Sequence, residues 1–329
     1  MTAKREDYLF LSATLRARET RMLSRDKAER LLDAPSFAES AKLLTDCGYE
    51  DMSQLNAAQI DASLSQRRAE IFRELERQLP DRTLLDLFRL RYDYHNAKAL
   101  LKAEAMGLDP APILSGAGRV APGKLLEAYR EERANELPER LAAALAGGKE
   151  LLARTGNPQL LDFSLDRACF EELGELAGAS GCAFLRGYVA VLADSTNLRS
   201  AVRTLRMGKN ADFLRDALVP GGRVDAGRFP GVGAEGLASL FAGSPLAEAA
   251  SLGAAAVEGG GMTAFELACD NAVMRYLKSA KLTSFGVEPV AAYLAAVETE
   301  ITAVRMILTG KLAGIAPQTI RERLRDLYA

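Results

Sequence analysis

The chain has 329 residues, with 42 Lys+Arg against 44 Asp+Glu and a net charge of −2, so no overall basic field draws nucleic acid or anionic lipid. One histidine, His95, and four scattered cysteines (Cys47, Cys169, Cys182, Cys269) without a CxxC pair argue against zinc and for reduced thiols, with Cys169 and Cys182 expected in the core. The charged opening MTAKREDYLF offers no apolar signal core, and no run of 18 apolar residues exists to span a bilayer.

The length predicts two or three domains, and a sequence rich in Ala and Leu, poor in β-branched residues, predicts helices. In chain order, Tyr8, Leu11, Leu15 and Met22 share one helical face, and Ser24 is placed to cap a helix reaching about Leu32. Ser36 and Glu39 form a capping-box pattern, and Gly48 is expected to stop the helix carrying Leu43, Leu44 and Cys47. Asn56 to Leu79 reads as a long charged helix closed by Pro80, followed by a helix through residues 87–107. The Pro- and Gly-rich stretch from Leu108 to Pro122 marks a boundary. Beyond it, Pro122 to Ala146 is expected to be helical, with Gly147-Gly148 breaking it. Asn157 opens another helix, a further one begins at Ser164, and Phe184 to Gly208 follows. Residues 221–261 are low in complexity, and their GxG fragments, lacking a following Lys-Ser/Thr, are expected to be turns. Glu266–Arg275, Pro289–Leu308 and a short Pro317-initiated helix complete the chain.

One pattern recurs through this order. Asp93-Tyr-His-Asn96-Ala-Lys98 with Gly107 returns as Asp194-Ser-Thr-Asn197-Leu-Arg199 with Gly208, and as Glu300-Ile-Thr-Ala303-Val-Arg305 with Gly314. The steps are 101 and 106 residues (194 − 93 and 300 − 194), and the glycine always sits nine after the basic residue. Three related units follow, expected at 1–115, 116–225 and 226–329. At about 100° per residue, each carboxylate falls inside an apolar stripe: Leu87, Leu90, Tyr94, Ala97, Leu100 and Leu101 in the first copy. The matching stripes are Tyr188, Val191, Ser195, Leu198, Ala201 and Val202, then Leu294, Val297, Ile301, Val304, Ile307 and Leu308. The Asn residues border one side of the stripe, and Lys98, Arg199 and Arg305 the other.

A carboxylate on a buried face requires partners, so each copy predicts a polar contact inside its unit. Asp194 in particular is expected to accept a hydrogen bond or ion pair from another helix, with Asp162 exposed as its contrast. The preceding helices join the repeat through Asp166 and Asp270, 28 and 30 residues before their carboxylates (194 − 166 and 300 − 270). The plainer reading of the three carboxylates is a packing network and not a chemical site. His95 lies off the stripe, with Thr196 in its place in the second copy, and is expected at the surface without a role. Basic groups at Arg16, Arg18 and Arg21, at Arg203 and Arg206, and at Arg321, Arg323 and Arg325 are either solvated faces or partner surfaces.

Taken with Ser24-Arg-Asp, Phe285-Gly-x-Glu-Pro-Val, Tyr293-Leu and the ending Arg305-Met-Ile-Leu-x-Gly-Lys311-Leu-x-Gly314, these boxes resemble the C subunit of the bacterial and archaeal V-type (A-type) rotary ATPases. The eukaryotic counterpart of that family is the V-ATPase d subunit. The resemblance runs nearly end to end and implies an all-α protein of three similar helical domains in a pseudo-threefold, funnel-shaped arrangement. It further implies a non-catalytic central-stalk socket without cofactor, peripheral on the cytoplasmic face of the cell membrane. Its partners would be the central shaft subunits D and F and the membrane rotor ring of proteolipid subunits, with no nucleic acid and no insertion into the bilayer. Ala303 departs from the Asn common in the family's third copy, and residues 221–261 match poorly. Two other readings stand beside it: a helical-repeat scaffold of another complex, and an all-helical enzyme using Asp93 and Asp194 as acid and base.

Overall fold

Short polar side chains start many of the helices. Ser24 accepts from Lys27 N–H at 3.3 Å to open α2, Arg25–Asp33, and Ser36 accepts from Glu39 N–H at 3.2 Å to open α3, Phe37–Leu43. Asn56 and Gln59 form a reciprocal capping box at α4, Ala57–Gln78. The structure, a computed structural model, describes residues 3–329, and among them every regular element is helical. The remaining elements are α1 (Leu9–Glu19), α5 (Thr83–Ala105), α6 (Pro122–Arg130), α7 (Glu139–Thr155), α8 (Pro158–Ala179) and α9 (Ala183–Arg206). After these come α10 (Ala211–Ala217), α11 (Ala234–Leu240), α12 (Ala247–Val257), α13 (Met262–Lys278), α14 (Val287–Leu312) and α15 (Pro317–Arg321).

Packing divides the chain into two compact units, one of Met1–Arg82 with Thr263–Ala329 and one of Thr83–Met262. In the first, α14 is apolar nearly all round and is buried against α1, α3 and α4. In the second, α5 packs on α7 and α8, and α9 lies between α8 and α12. Two copies of the recurring motif thus sit in one unit and the third in the other.

Several sequence expectations are corrected. Gly147-Gly148 does not break α7, which runs through both. Gly148 faces α5 and α8, where a Cβ would lie 2.8 Å from Leu161 Cδ1 and 3.0 Å from Leu101 Cδ1, so its bare backbone lets the helices approach. Residues 158–179 form one helix, not two, because Ser164 lies within the apolar register of Leu161, Leu165 and Cys169. In the tract 221–261 the GxG fragments lie in turns, as expected, and α11 and α12 stand between them, with Phe229 and Phe241 packed edge-on at 5.8 Å. The last helix ends at Arg321, short of Arg325, as its chain folds back so that Arg325 reaches Asp270 at 2.9 Å. Cys169 is buried, and burial pushes its thiol up to about 12. Cys182 is only half-buried, because it stands at the turn that starts α9.

Candidate functional site: three buried carboxylate nests

Each motif helix ends in the same way. Leu108, Lys209 and Ile315 donate backbone N–H to Ala103, Thr204 and Gly310 carbonyls at 2.8, 3.0 and 2.9 Å. Gly107, Gly208 and Gly314, at φ 66°, 64° and 70°, donate to Glu104, Leu205 and Lys311 at 3.0 Å each. These are three Schellman caps, and the left-handed conformation explains why glycine stands at this position in every copy.

Upstream on the same helices, the three carboxylates are buried, and each accepts the backbone N–H of the residue just before the N-cap of another helix. Val120 N–H donates to Asp93 Oδ1 at 3.1 Å, Val224 N–H to Asp194 Oδ1 at 3.1 Å, and Leu23 N–H to Glu300 Oε2 at 2.6 Å. The next residues, Ala121, Asp225 and Ser24, are the N-caps of α6, of the short 3-10 turn Ala226–Arg228 and of α2. The carboxylate therefore fixes where the chain enters its next helix. In the first two nests a glycine makes room: a Cβ on Gly118 or Gly222 would fall 2.2 or 2.3 Å from the aspartate Oδ1. Gly118-Arg119-Val120 and Gly222-Arg223-Val224 are a second repeated motif, legible in the sequence but missed there, and Arg21-Met22-Leu23 takes its place in the third nest.

The flanking Asn residues clamp the same loops five residues earlier. Asn96 donates to Ser115 O at 2.8 Å and accepts from Ser115 N–H at 2.7 Å; Asn197 does the same to Val219 at 2.9 and 2.8 Å. In the third nest the corresponding residue, Arg18, lies inside α1, where the helix already binds its backbone groups. Ala303 has no loop to clamp. That accounts for the departure seen in the sequence.

Each carboxylate is completed differently. Arg119 bridges Asp93 Oδ2 at 2.6 Å and Glu172 Oε1 at 2.7 Å, while Tyr94 donates to Glu172 Oε2 at 2.8 Å. Glu300 instead accepts from Tyr49 at 2.8 Å, and the Arg67 guanidinium stacks over the Tyr49 ring at 4.0 Å. Burial pushes all three carboxyls up, opposed at Asp93 by Arg119, at Asp194 by the Val224 N–H and at Glu300 by the Leu23 N–H. Beside Glu300 lies a cavity of about 310 Å³, also lined by Arg18, Arg67, Glu70, Glu74 and Tyr293.

The basic residues of the motif point away from their own carboxylates. Lys98 pairs with Asp166 at 2.5 Å and Arg305 with Asp61 at 2.6 Å, while Arg199 donates to Ser195 Oγ at 3.0 Å. Asp61, 32 residues before Asp93 (93 − 61), is the counterpart of Asp166 that the sequence reading missed. Asp162 is half-buried and paired with Lys102 at 2.6 Å, not exposed as expected. His95 is exposed. Much of the arginine content is internal: Arg16 binds Ala280 O and Thr283 O at 2.7 and 2.9 Å, Arg206 binds Ala256 O and Gly260 O at 3.2 and 3.0 Å, and Arg321 bridges Glu29 and Asp33. Among the described residues no cluster of His, Cys, Asp and Glu is arranged to hold a metal, and no helix is long and apolar enough to cross a membrane.

A family model described as the ATP synthase (C/AC39) subunit matches residues 11–323, spanning all three nests. The chain belongs to this family. The V-type sodium ATPase C subunit of Enterococcus hirae is 23% identical over 98% of this chain and 99% of its own length. The A-type ATP synthase C subunit of Methanocaldococcus jannaschii is 25% identical over 97% of this chain and 86% of its own length. The V-type ATP synthase C subunit of Thermus thermophilus is 28% identical over 68% of this chain and 71% of its own. The match that reaches from α1 to beyond α15 takes in residues 221–261 as well.

Proposed function

We propose that the protein is a non-catalytic subunit of a V/A-type rotary ATPase or ATP synthase, seated in the central stalk as the socket that couples the shaft to the proteolipid rotor ring. The observation that carries this is the end-to-end family match, since relatives covered over nearly their whole length are named as the C subunits of such complexes. The nests support a mechanical role. Their carboxylates are buried, and each is bound to backbone N–H groups that set helix entries. A group held this way fixes geometry and is poorly placed to exchange protons with a substrate. This favours the socket over the enzyme using Asp93 and Asp194.

The finer assignments complete the proposal. The three recurring units, 1–115, 116–225 and 226–329, are arranged about a pseudo-threefold axis as a funnel. The shaft subunits D and F enter it, and the ring lies below, on the cytoplasmic face of the cell membrane. Asp93, Asn96, Lys98, Asp194, Asn197, Arg199, Glu300 and Arg305 resist torque by fastening these units, with Asp93, Lys98, Glu300 and Arg305 each bonded to a residue outside its own unit. Purification of a tagged chain from native membranes tests complex membership. The other proteins of the rotary ATPase are expected in stoichiometric amounts, and their absence with a different stable assembly in their place would favour the scaffold alternative.

A further inference from the structure

The first and third nests are built on matching positions but filled differently. Arg305 pairs with Asp61 as Lys98 pairs with Asp166. Arg67, six residues beyond Asp61, therefore stands where Glu172 stands beyond Asp166 (67 − 61 and 172 − 166). In the same register Met22 takes the place of Arg119, each just before the residue whose N–H the carboxylate accepts. The first nest reads acid, guanidinium, acid, with Arg119 in the middle. The third reads acid, thioether, guanidinium.

That exchange leaves space. Arg119 lies within 2.7 Å of both acids of the first nest, whereas Met22, Arg67 and Glu300 all line the cavity of about 310 Å³. Its volume is that of a small-molecule site. Its walls are residues 18–22, α4 and α14, all within one packing unit, and the Cys47-Gly48 turn closes one side.

The charges facing this space are unevenly committed. Arg18 gives both Nη groups to the two oxygens of Glu74. Glu300 accepts Leu23 N–H and Tyr49 O–H on its two oxygens, and burial pushes its carboxyl toward the neutral form. Glu70 is exposed and accepts from Gln66 at 2.9 Å. Arg67 donates to the carbonyls of Gly48 and Cys47, and its Nε has no acceptor. Among the described residues neither Arg67 nor the exposed Arg21 pairs with a carboxylate. Two guanidiniums thus face the cavity against one uncommitted acid, Glu70. Replacing Glu172 by Arg67 inverts the charge that suits the middle position, from a cation to an oxyanion.

We propose that the cavity between residues 18–22, α4 and α14 binds one oxyanion of the phosphate class, free or carried on a small molecule, through Arg21 and Arg67. Met22, Ile71 and Val297 give an organic body an apolar wall. Arg21 belongs to the N-terminal segment and Arg67 to α4, so the bound ion ties the segment down and holds Leu23 on Glu300. The site goes beyond the coupling role and does not depend on it.

Calorimetric titration of the full chain with inorganic phosphate, against chloride at matched ionic strength, tests the site. Saturable binding is expected, with slower hydrogen exchange at residues 18–23 when phosphate is bound. Arg21→Gln removes an exposed, unpaired guanidinium, so the thermal midpoint should hold while affinity falls about tenfold or more. Ile71→Phe fills the cavity and should abolish binding, with its own thermal midpoint as the control for folding. Glycerol 3-phosphate, titrated in parallel, separates the sources. Tighter binding than phosphate assigns a small phosphate ester, and weaker binding assigns the free ion. No saturable binding of either probe, or wild-type affinity in either variant, would overturn the site.

Discussion

At the scale of single residues, the nests make sharp demands. Arg119 is the only side-chain cation bonded to both Asp93 and Glu172 among the described residues, and all three groups are nearly dry. Arg119→Met should cost about 3–5 kcal/mol, because two buried carboxylates lose their partner; a chemical denaturation midpoint checks it, and adding Asp93→Asn with Glu172→Gln should recover part of the loss. Asp194→Ala strands the Val224 N–H and should cost about 1–3 kcal/mol, against less than about 0.5 for exposed Glu258→Ala. Equal shifts in the two would contradict the nest.

Glu300 gives a pH signature. Burial raises its folded-state pKa above the ordinary carboxylate range, so the folded protein holds this proton more tightly than the unfolded chain. Its contribution is then fully present below the unfolded pKa and is lost as pH rises through the folded one. The protonated acid can donate to Tyr49 while still accepting from Leu23. Glu300→Gln removes the titration, so wild-type stability should decline relative to Glu300→Gln as pH rises from the acid side. Denaturation curves of both proteins across pH 4–8 measure the difference, and parallel pH profiles would rule the linkage out.

At the scale of elements, two adjacent glycines in α7 should behave oppositely. Gly147 is exposed, with nothing within 4 Å of where a Cβ would stand, whereas Gly148 is wedged against Leu161 and Leu101. Gly147→Ala should stabilise by about 0.5–1 kcal/mol through chain entropy and helix propensity. Gly148→Ala should destabilise by about 1–3 kcal/mol through overpacking. Paired thermal melts decide it.

The same glycines show how far the sequence is legible. Periodicity and caps disclose the helices and the stripe that buries Asp93, Asp194 and Glu300, because these are local properties. Whether a Gly-Gly pair breaks a helix or admits a neighbour depends on what packs there, and no local signal carries that. Val120, Val224 and Leu23 contribute only a backbone N–H, which leaves no side-chain trace. The Gly-Arg-Val repeat before two helix starts was the available clue. Its third counterpart was hidden because Arg21-Met22-Leu23 precedes the first motif helix, although it serves the last.

At the scale of the whole molecule, that last contact ties the two ends of the chain together within one unit. The N-terminal residues do for Glu300 what the loops after α5 and α9 do for the aspartates. Deleting residues 1–23 should therefore destabilise the last motif helix and not merely shorten the chain; hydrogen exchange along α14 would report it as lost protection. The proposed socket role requires ends fastened in this way, since a loose helix would absorb rotation as local unfolding.

The most direct measurement of the coupling role is ATP turnover and ion transport in membranes reconstituted with and without this protein. The catalytic head is expected to keep hydrolysing ATP without it while ion transport falls to background, and re-adding the protein should restore transport. Undiminished coupled transport in its absence would contradict the account.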